Sequence, residues 1–177
     1  VIKSTVLPGT TRKLKEIYNK HGFVFSPEFL TERNAIFDSI NTYRVILGSD
    51  NKNDIDRVEE IHKPVYSHVK LFKTNFEEAE LVKYICNCFF SAKVSIMNEI
   101  YDICKGLGIE YEKVRQMFLA DQRIANSHTM VPGPDGHRGF GGKCFYKDLN
   151  SFIFWCKEHN FNVDMFDAAN RVNERVR

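Results

Sequence analysis

Cys144 is the residue of this sequence best placed to act as a nucleophile. It lies in the segment GFGGKCFYKDLN, where glycines precede it and a helix is predicted to begin near Lys147 and Asp148. A thiol close to a helix N-terminus and a lysine experiences positive potential, which favours the reactive thiolate. A structural cysteine beside a glycine turn explains the local sequence equally well.

Three polar residues could assist such a nucleophile. Asp148 follows Cys144 by four positions and could orient water or accept a proton, although alone it would be explained better as a helix N-cap. Lys83 and Asn87 are spaced i and i+4, on one face of a long apolar helix. Burying a lone charge is costly, so the lysine must find a partner or a wet cavity, unless it snorkels to solvent.

Two further candidates follow predicted strands. Glu28 in SPEFLTE comes after a strand end, and Thr5 lies near the end of another. Parallel sheets bind ligands at the carboxyl ends of their strands, which makes both positions of interest. Each signal is weak by itself, because Glu and Thr are commonplace at strand ends.

A metal site is not expected. Cys86 and Cys88 form a C-x-C pair, but no second pair of ligands accompanies it, and the histidines lack the H-E-x-x-H spacing of zinc hydrolases. A thiol hydrolase would need a general-base histidine for Cys144. His137 and His159 are the nearest in sequence, and neither has a recognisable hydrolase context.

The composition describes a core-forming globular protein. Of 177 residues, 43% are hydrophobic and 27% charged, and a net charge of +2 argues against a nucleic-acid surface. No apolar run reaches the ~18 residues of a membrane span. The odd number of cysteines and the lack of a secretory signal predict free thiols in the cytoplasm.

Strands and helices alternate over residues 1–73, which predicts parallel α/β architecture. The expected strands are 1–6, 23–25, 43–48 and 69–72, and the expected helices are 11–20, 32–39 and 54–62, the last ended by Pro64. Because a strand at residue 1 needs partners from elsewhere, we expect a fragment of a larger fold.

Helices dominate from Asn75 onward. No proline or glycine interrupts residues 76–105, which predicts one helix of about 30 residues, ~45 Å long. Its middle, 84–97, is apolar on nearly every side and should be buried against several neighbours. Helices are also expected at 111–119, 148–158 and 165–176, with a long ordered loop over 126–143.

Several segments, in order, resemble the UDP-glucose 6-dehydrogenase family of nucleotide-sugar 6-dehydrogenases. They are KSTVLPGT at 3–10, SPEFLTE at 26–32, RVILG at 44–48, AELVKYICN at 79–87, KVSIMNE at 93–99, DQRI at 121–124 and VPGPDGHRGFGGKCFYKD at 131–148. They span nearly the whole chain. The glycine–cysteine segment is specific, and its ordered combination with PEFL and AE-x-x-K-x-x-x-N is not expected by coincidence.

The resemblance implies two domains. Residues 1–73 would be the C-terminal part of a Rossmann-type NAD-binding domain, and residues 74–177 an all-α central domain with a long central helix that dimerises. The sequence has no G-x-G-x-x-G, so the phosphate-binding first half of the Rossmann domain is expected to be missing. The family's C-terminal UDP-binding domain is expected to be missing too, and the isolated chain to be inactive.

The resemblance also implies a reaction. Enzymes of this family use NAD to oxidise the sugar C6 alcohol twice, to the carboxylate. By resemblance, Cys144 captures the intermediate aldehyde as a thiohemiacetal, and a second hydride transfer leaves a thioester that water hydrolyses. Lys83 and Asn87 would stabilise the oxyanion. The residues implied in proton transfer and water activation are Asp148 and Glu28, with Thr5 assisting.

Binding residues follow from the same resemblance. The nucleotide sugar would contact Glu28, Phe29, Leu30, Lys83, Asn87, Arg123, Gly133, Phe140 and Gly141, and NAD would contact Thr5, Glu32 and Lys147. This sequence departs from the family pattern at Arg33-Asn34, in place of a glycine after Glu32, and at Tyr146, in place of proline. The partner would be UDP-glucose, with UDP-N-acetylmannosamine and GDP-mannose as alternatives. A non-catalytic dimerising and substrate-binding module is the other interpretation.

Overall fold

The computed structural model describes the backbone of all 177 residues and every side chain except those of Glu32 and Lys143. It contains two compact units, Val1–Ile85 and Cys86–Arg177. The domain boundary expected at residue 73 stays a prediction.

The first unit is built on a βαβ element. Its helices and strands are α1 (Thr10–Ile17), α2 (Ala35–Ile40), β1 (Arg44–Gly48), α3 (Lys52–Tyr66) and β2 (Lys70–Thr74). β1 and β2 pair in parallel, from Arg44 opposite Lys70 to Gly48 opposite Thr74. Val45 and Leu47 of β1 are buried with Ile55 of α3, and this packing fixes the crossover helix on one face of the sheet.

Two isolated pairings extend this sheet. Ile2 pairs in parallel with Phe25, and Phe25 pairs antiparallel with Gly48. The expected strands at 1–6 and 23–25 are thus reduced to single pairings, and the expectation of a wholly parallel arrangement is wrong at Phe25. An antiparallel neighbour needs no crossover helix, and the chain between Phe25 and β1 contains only a 3₁₀ turn and the short α2.

Pro64 does not end α3, contrary to the sequence prediction. The helix continues to Tyr66, so Pro64 lies in its last turn. A proline removes one backbone hydrogen bond and crowds the preceding turn, but near a helix end few later hydrogen bonds depend on it. The predicted α/β character of this unit is nevertheless confirmed.

The remaining helices are α4 (Phe76–Gly106), α5 (Tyr111–Leu119), α6 (Gly142–Glu158) and α7 (Asp164–Val176). α4 and α5 were predicted nearly to the residue. α6 begins at Gly142, six residues before the predicted start at Asp148. The N–H groups of the first helical turn need no partners within the helix, so a glycine is tolerated at its first position. Residues 120–141 connect α5 to α6 and include a cis peptide bond at Val131–Pro132.

Within the second unit α4 presents two contrasting faces. Small polar side chains are buried: Asn87, Ser91, Ser95 and Asn98. Large apolar side chains are exposed on the opposite face of the helix, where they recur every seven residues: Phe89 at 62%, Ile96 at 49% and Ile103 at 60%. The prediction that the middle of this helix is buried on nearly every side is therefore wrong for the single chain. No helix of the described residues is both long and apolar enough to span a membrane.

Candidate functional site

Cys144 is an exposed free thiol in the first turn of α6. Its position is set by Gly141, which lies outside the helix with extended backbone and is followed by the helical Gly142. The first turn of a helix carries the partial positive charge of unpaired N–H groups. Burial raises the pKa of the Cys88 thiol to about 12 and also raises the pKa of Cys156. Among the cysteines, Cys144 is the one whose side chain is exposed.

Asp148 lies one turn after Cys144 in α6 and is only 1% exposed. Its Oδ2 accepts a hydrogen bond from Nδ2 of Asn87 at 2.6 Å, and its Oδ1 forms an ion pair with Lys147. The structure thus brings together three residues that the sequence singled out. The N-cap interpretation of Asp148 is wrong, since α6 begins at Gly142.

Lys83 and Glu28 meet in the first unit. Nζ of Lys83 donates to the backbone carbonyl of Glu28 at 2.7 Å and lies 5.5 Å from the ring centroid of Phe29. The lysine on the apolar helix therefore has partners. The carboxylate of Glu28 is turned to Lys3 at 3.2 Å and remains 46% exposed.

A cleft in the first unit is lined by Glu28, Phe29 and Leu30 together with basic side chains that include Lys3 and Arg44. The Arg44 guanidinium carbon lies 4.1 Å from the centroid of the Phe29 ring. The antiparallel pairing of Phe25 with β1 explains this proximity, because it directs the end of one strand toward the start of the other. Cationic groups next to an aromatic ring suit an anionic or planar ligand.

Other predicted residues lie apart from these groups. Thr5 is half-buried in the segment between Ile2 and α1. Arg123 is exposed and forms an ion pair with Asp121 at 2.6 Å, and this hydrogen bonding lowers the pKa of the Asp121 carboxyl. The amide of Gly133 donates to the carbonyl of His137 at 2.8 Å within the loop. The side chain of Glu32 lies outside the described residues.

Phe140 and Gly141 form the approach to α6. Phe140 is buried, and its amide donates to Oδ1 of Asn173 at 2.7 Å. A Cβ on Gly141 would come within 2.0 Å of Nη2 of Arg177, so a larger residue there would displace the end of that arginine side chain.

Sequence reasoning missed Glu80. This residue is fully buried on α4, and its carboxylate accepts from the amides of Gly9 and Thr11 at 2.6 and 2.7 Å and from the Thr11 hydroxyl at 2.6 Å. It takes the place of a side-chain cap at the N-terminus of α1, where a carboxylate is favoured. The available signal was an acidic residue inside the apolar stretch AELV, three positions before Lys83.

The chain belongs to the UDP-glucose/GDP-mannose dehydrogenase family. Residues 1–66 match the model of that family's NAD-binding domain, and residues 77–175 match the model of its central domain. The predicted family and fold class are confirmed, and so is NAD as the cofactor of the matched domain.

Comparisons with individual proteins support the same family. UDP-glucose 6-dehydrogenase TuaD of Bacillus subtilis is 34% identical over 184 residues, which cover 100% of this chain and 38% of that protein. A UDP-glucose dehydrogenase from Pyrobaculum islandicum superposes with a TM-score of 0.85 at 32% identity, covering 98% of this chain and 40% of that one. GDP-mannose dehydrogenase from Pseudomonas aeruginosa superposes with 0.62 at 28% identity, covering 98% and 41%. The chain thus spans about two fifths of the length of the relatives it matches.

Proposed function

We propose that this chain carries part of the active site of an NAD-dependent nucleotide-sugar 6-dehydrogenase that converts UDP-glucose to UDP-glucuronate. One observation carries the proposal. The exposed Cys144 lies in the positive first turn of α6, one turn before the buried Asp148, which Asn87 and Lys147 hold by both oxygens. A nucleophile and a fixed carboxylate on one helix suit acyl chemistry on sulfur.

Cys144 would attack the aldehyde of the half-oxidised sugar to form a thiohemiacetal, and loss of a hydride from this adduct to NAD would leave a thioester on Cys144. Asp148 would direct the water that cleaves this thioester and take up its proton. The Asn87 amide is committed to Asp148 by a hydrogen bond of 2.6 Å, so it can orient that carboxylate as well as donate to an oxyanion.

The roles of Lys83, Glu28 and Thr5 rest on the family resemblance. Lys83 supplies a positive charge, and its bond to the Glu28 carbonyl supports a position next to the PEFL segment. The carboxylate of Glu28 is half exposed and forms an ion pair with Lys3 at 3.2 Å, so it is accessible to a substrate. We assign Lys83 to oxyanion stabilisation and Glu28, assisted by Thr5, to proton transfer.

By the family resemblance, substrate contacts are proposed for residues of the PEFL segment, α4, the loop and the approach to α6: Glu28, Phe29, Leu30, Lys83, Asn87, Arg123, Gly133, Phe140 and Gly141. NAD, when bound, supplies the hydride acceptor. The half-buried Thr5 offers a hydroxyl and the exposed Lys147 an ammonium group, and each can donate a hydrogen bond to a phosphate or ribose oxygen. These two residues and Glu32 would hold the cofactor.

UDP-glucose is favoured over GDP-mannose and UDP-N-acetylmannosamine because relatives at 34% and 32% identity are named as UDP-glucose dehydrogenases. The test is NADH formation by the naturally encoded protein with each of the three nucleotide sugars. The greatest kcat/KM is expected with UDP-glucose, and the proposal fails if none of the three is oxidised.

The 177 residues alone are expected to form little or no NADH, because they contain no G-x-G-x-x-G. Mixing the purified chain with NAD and UDP-glucose and recording NADH absorbance tests this. Sustained turnover would contradict it. Absence of binding to both ligands would favour the alternative of a purely dimerising module.

We also propose a homodimer through the apolar stripe of α4 (Phe89, Ile96 and Ile103). Large apolar side chains in a regular row on a helix are typical of an interface. Replacing Phe89 and Ile96 by Lys should convert a dimer to a monomer in light scattering. Replacing the exposed Lys13 and Glu16 of α1 by Ala should leave the dimer intact. The free state of all five cysteines supports a cytoplasmic location.

A further inference from the structure

Two buried asparagines hold the glycine segment that precedes Cys144. Asn98 of α4 is 1% exposed, and its Oδ1 accepts from the amide of Gly139 and from Nε of Arg138, both at 3.2 Å. Asn173 of α7 is 3% exposed, and its Oδ1 accepts from the amide of Phe140 at 2.7 Å. Two consecutive backbone amides are therefore bound by side chains of two different helices.

The local backbone explains why side chains are needed. Gly139 has φ of +69°, and the segment 138–141 belongs to no helix or strand that could supply acceptors. Gly139 and Phe140 are both buried, and a buried amide without an acceptor is strongly disfavoured. A Cβ on Gly139 would lie 2.4 Å from Oδ1 of Asn173, so the asparagine also occupies the space that any other residue would need.

We propose that Asn98 and Asn173 form a clamp that positions Cys144. The clamp fixes the backbone of Gly139 and Phe140, and through Gly141 it fixes the point at which α6 begins. Cys144 lies in that first turn, so its sulfur is oriented by two side chains that act through the backbone. The inference rests on the proposed function for its catalytic meaning, because positioning matters only if Cys144 reacts.

Matched substitutions separate positioning from stability. Asn173→Asp keeps the acceptor oxygen, whereas Asn173→Leu has similar volume and no acceptor. Ser95→Ala is the control, since the buried Ser95 hydroxyl donates to the Ala169 carbonyl at 2.7 Å and so joins α4 to α7 without binding the glycine segment. Should Asn173→Leu fail to fold, Asn173→Ala takes its place.

Three measurements are made on the naturally encoded protein: amide exchange at Gly139 and Phe140, iodoacetamide labelling of Cys144, and kcat and KM for UDP-glucose. Asn173→Leu should speed exchange at Phe140, change the labelling rate and lower kcat at least ~tenfold with KM nearly constant, because small misplacements of reacting groups cost rate. Asn173→Asp should restore most of kcat, and Ser95→Ala should keep kcat even at an equal loss of Tm.

Two results would overturn the clamp. One is unchanged exchange at Phe140 in Asn173→Leu, and the other is an equal loss of kcat in Asn173→Leu and Ser95→Ala at equal Tm. If the wild-type protein oxidises no nucleotide sugar, the proposed function fails. Exchange and labelling still decide the clamp in that case, since faster exchange with altered labelling supports it and unchanged values contradict it.

Discussion

The two groups of candidate residues differ in how firmly they are held. In the second unit, Asp148 is buried and bound through both oxygens by side chains. In the first unit, Lys83 binds the backbone carbonyl of Glu28, whose carboxylate stays half exposed. A buried, fully paired group is costly to disturb, whereas an accessible one can move at little cost. We therefore expect truncation of Asp148 to lower both stability and activity, whereas truncation of Lys83 should lower activity alone.

The largest effect on the naturally encoded protein, in which all the following activities are measured, is expected from Cys144→Ser. An exposed nucleophile contributes little to packing, so the Tm should be unchanged while kcat falls by at least about a thousandfold. Substrate binding, measured by calorimetry with UDP-glucose, should persist. Cys86→Ser is the matched control and should keep its activity; undiminished acid production by Cys144→Ser would remove the nucleophile assignment.

Lys83→Ala is expected to lower kcat by about a hundredfold or more, the size of effect seen when an oxyanion donor is removed. Its Tm should follow that of Lys13→Ala, an exposed lysine of α1 in the same unit. A Tm lower than this control by several degrees would instead assign Lys83 a structural role and abolish the contrast with Asp148.

Two substitutions of Asp148 test its effect on activity and its effect on stability. Asp148→Asn still offers an oxygen to Asn87 and should lower kcat about a hundredfold with a small change in stability. Asp148→Ala leaves the buried Asn87 amide without its acceptor and should also lower the free energy of unfolding by about 1–3 kcal/mol. The exposed Asp164→Asn serves as control, and equal stability of Asp148→Ala and Asp148→Asn would contradict the coupling.

A smaller effect is expected from pH. Burial raises the pKa of Cys88 from 9.0 to about 12, so the folded state binds its proton more tightly than the unfolded state. This contribution to stability is complete below pH 9.0 and is lost as the pH rises toward 12. Urea unfolding at increasing pH should show a falling free energy of unfolding, and this dependence on pH should be less steep in Cys88→Ala. An identical dependence in that variant would refute the assignment.

The first unit should respond in the opposite direction. The hydrogen bond from Arg12 lowers the pKa of Glu77, so this pairing stabilises the fold at neutral pH and is lost as the pH falls through that lowered pKa. The pair is partly exposed, so the effect is small and salt-dependent.

Much of the fold was readable from local patterns. The uninterrupted run after Asn75 predicted α4, and the alternation before it predicted the βαβ unit, because both depend on nearby residues. The start of α6 and the passage of α3 through Pro64 were mispredicted, since helix ends depend on neighbouring packing as well as on local preference. The family resemblance implied roles for Asn87, Asp148 and Cys144, but none for Asn98 or Asn173, whose importance lies in which amides they bind.

The two faces of α4 separate what the sequence determined from what only the tertiary structure decided. The amino-acid sequence by itself determined that a long helix forms, which cysteine follows the glycines and to which family the chain belongs, because these are properties of residue order. Only the tertiary structure decided that the small polar residues of that helix face inward while Phe89 and Ile96 face outward. Buried polar groups need partners that are distant in sequence, and those partners exist only once the chain has folded.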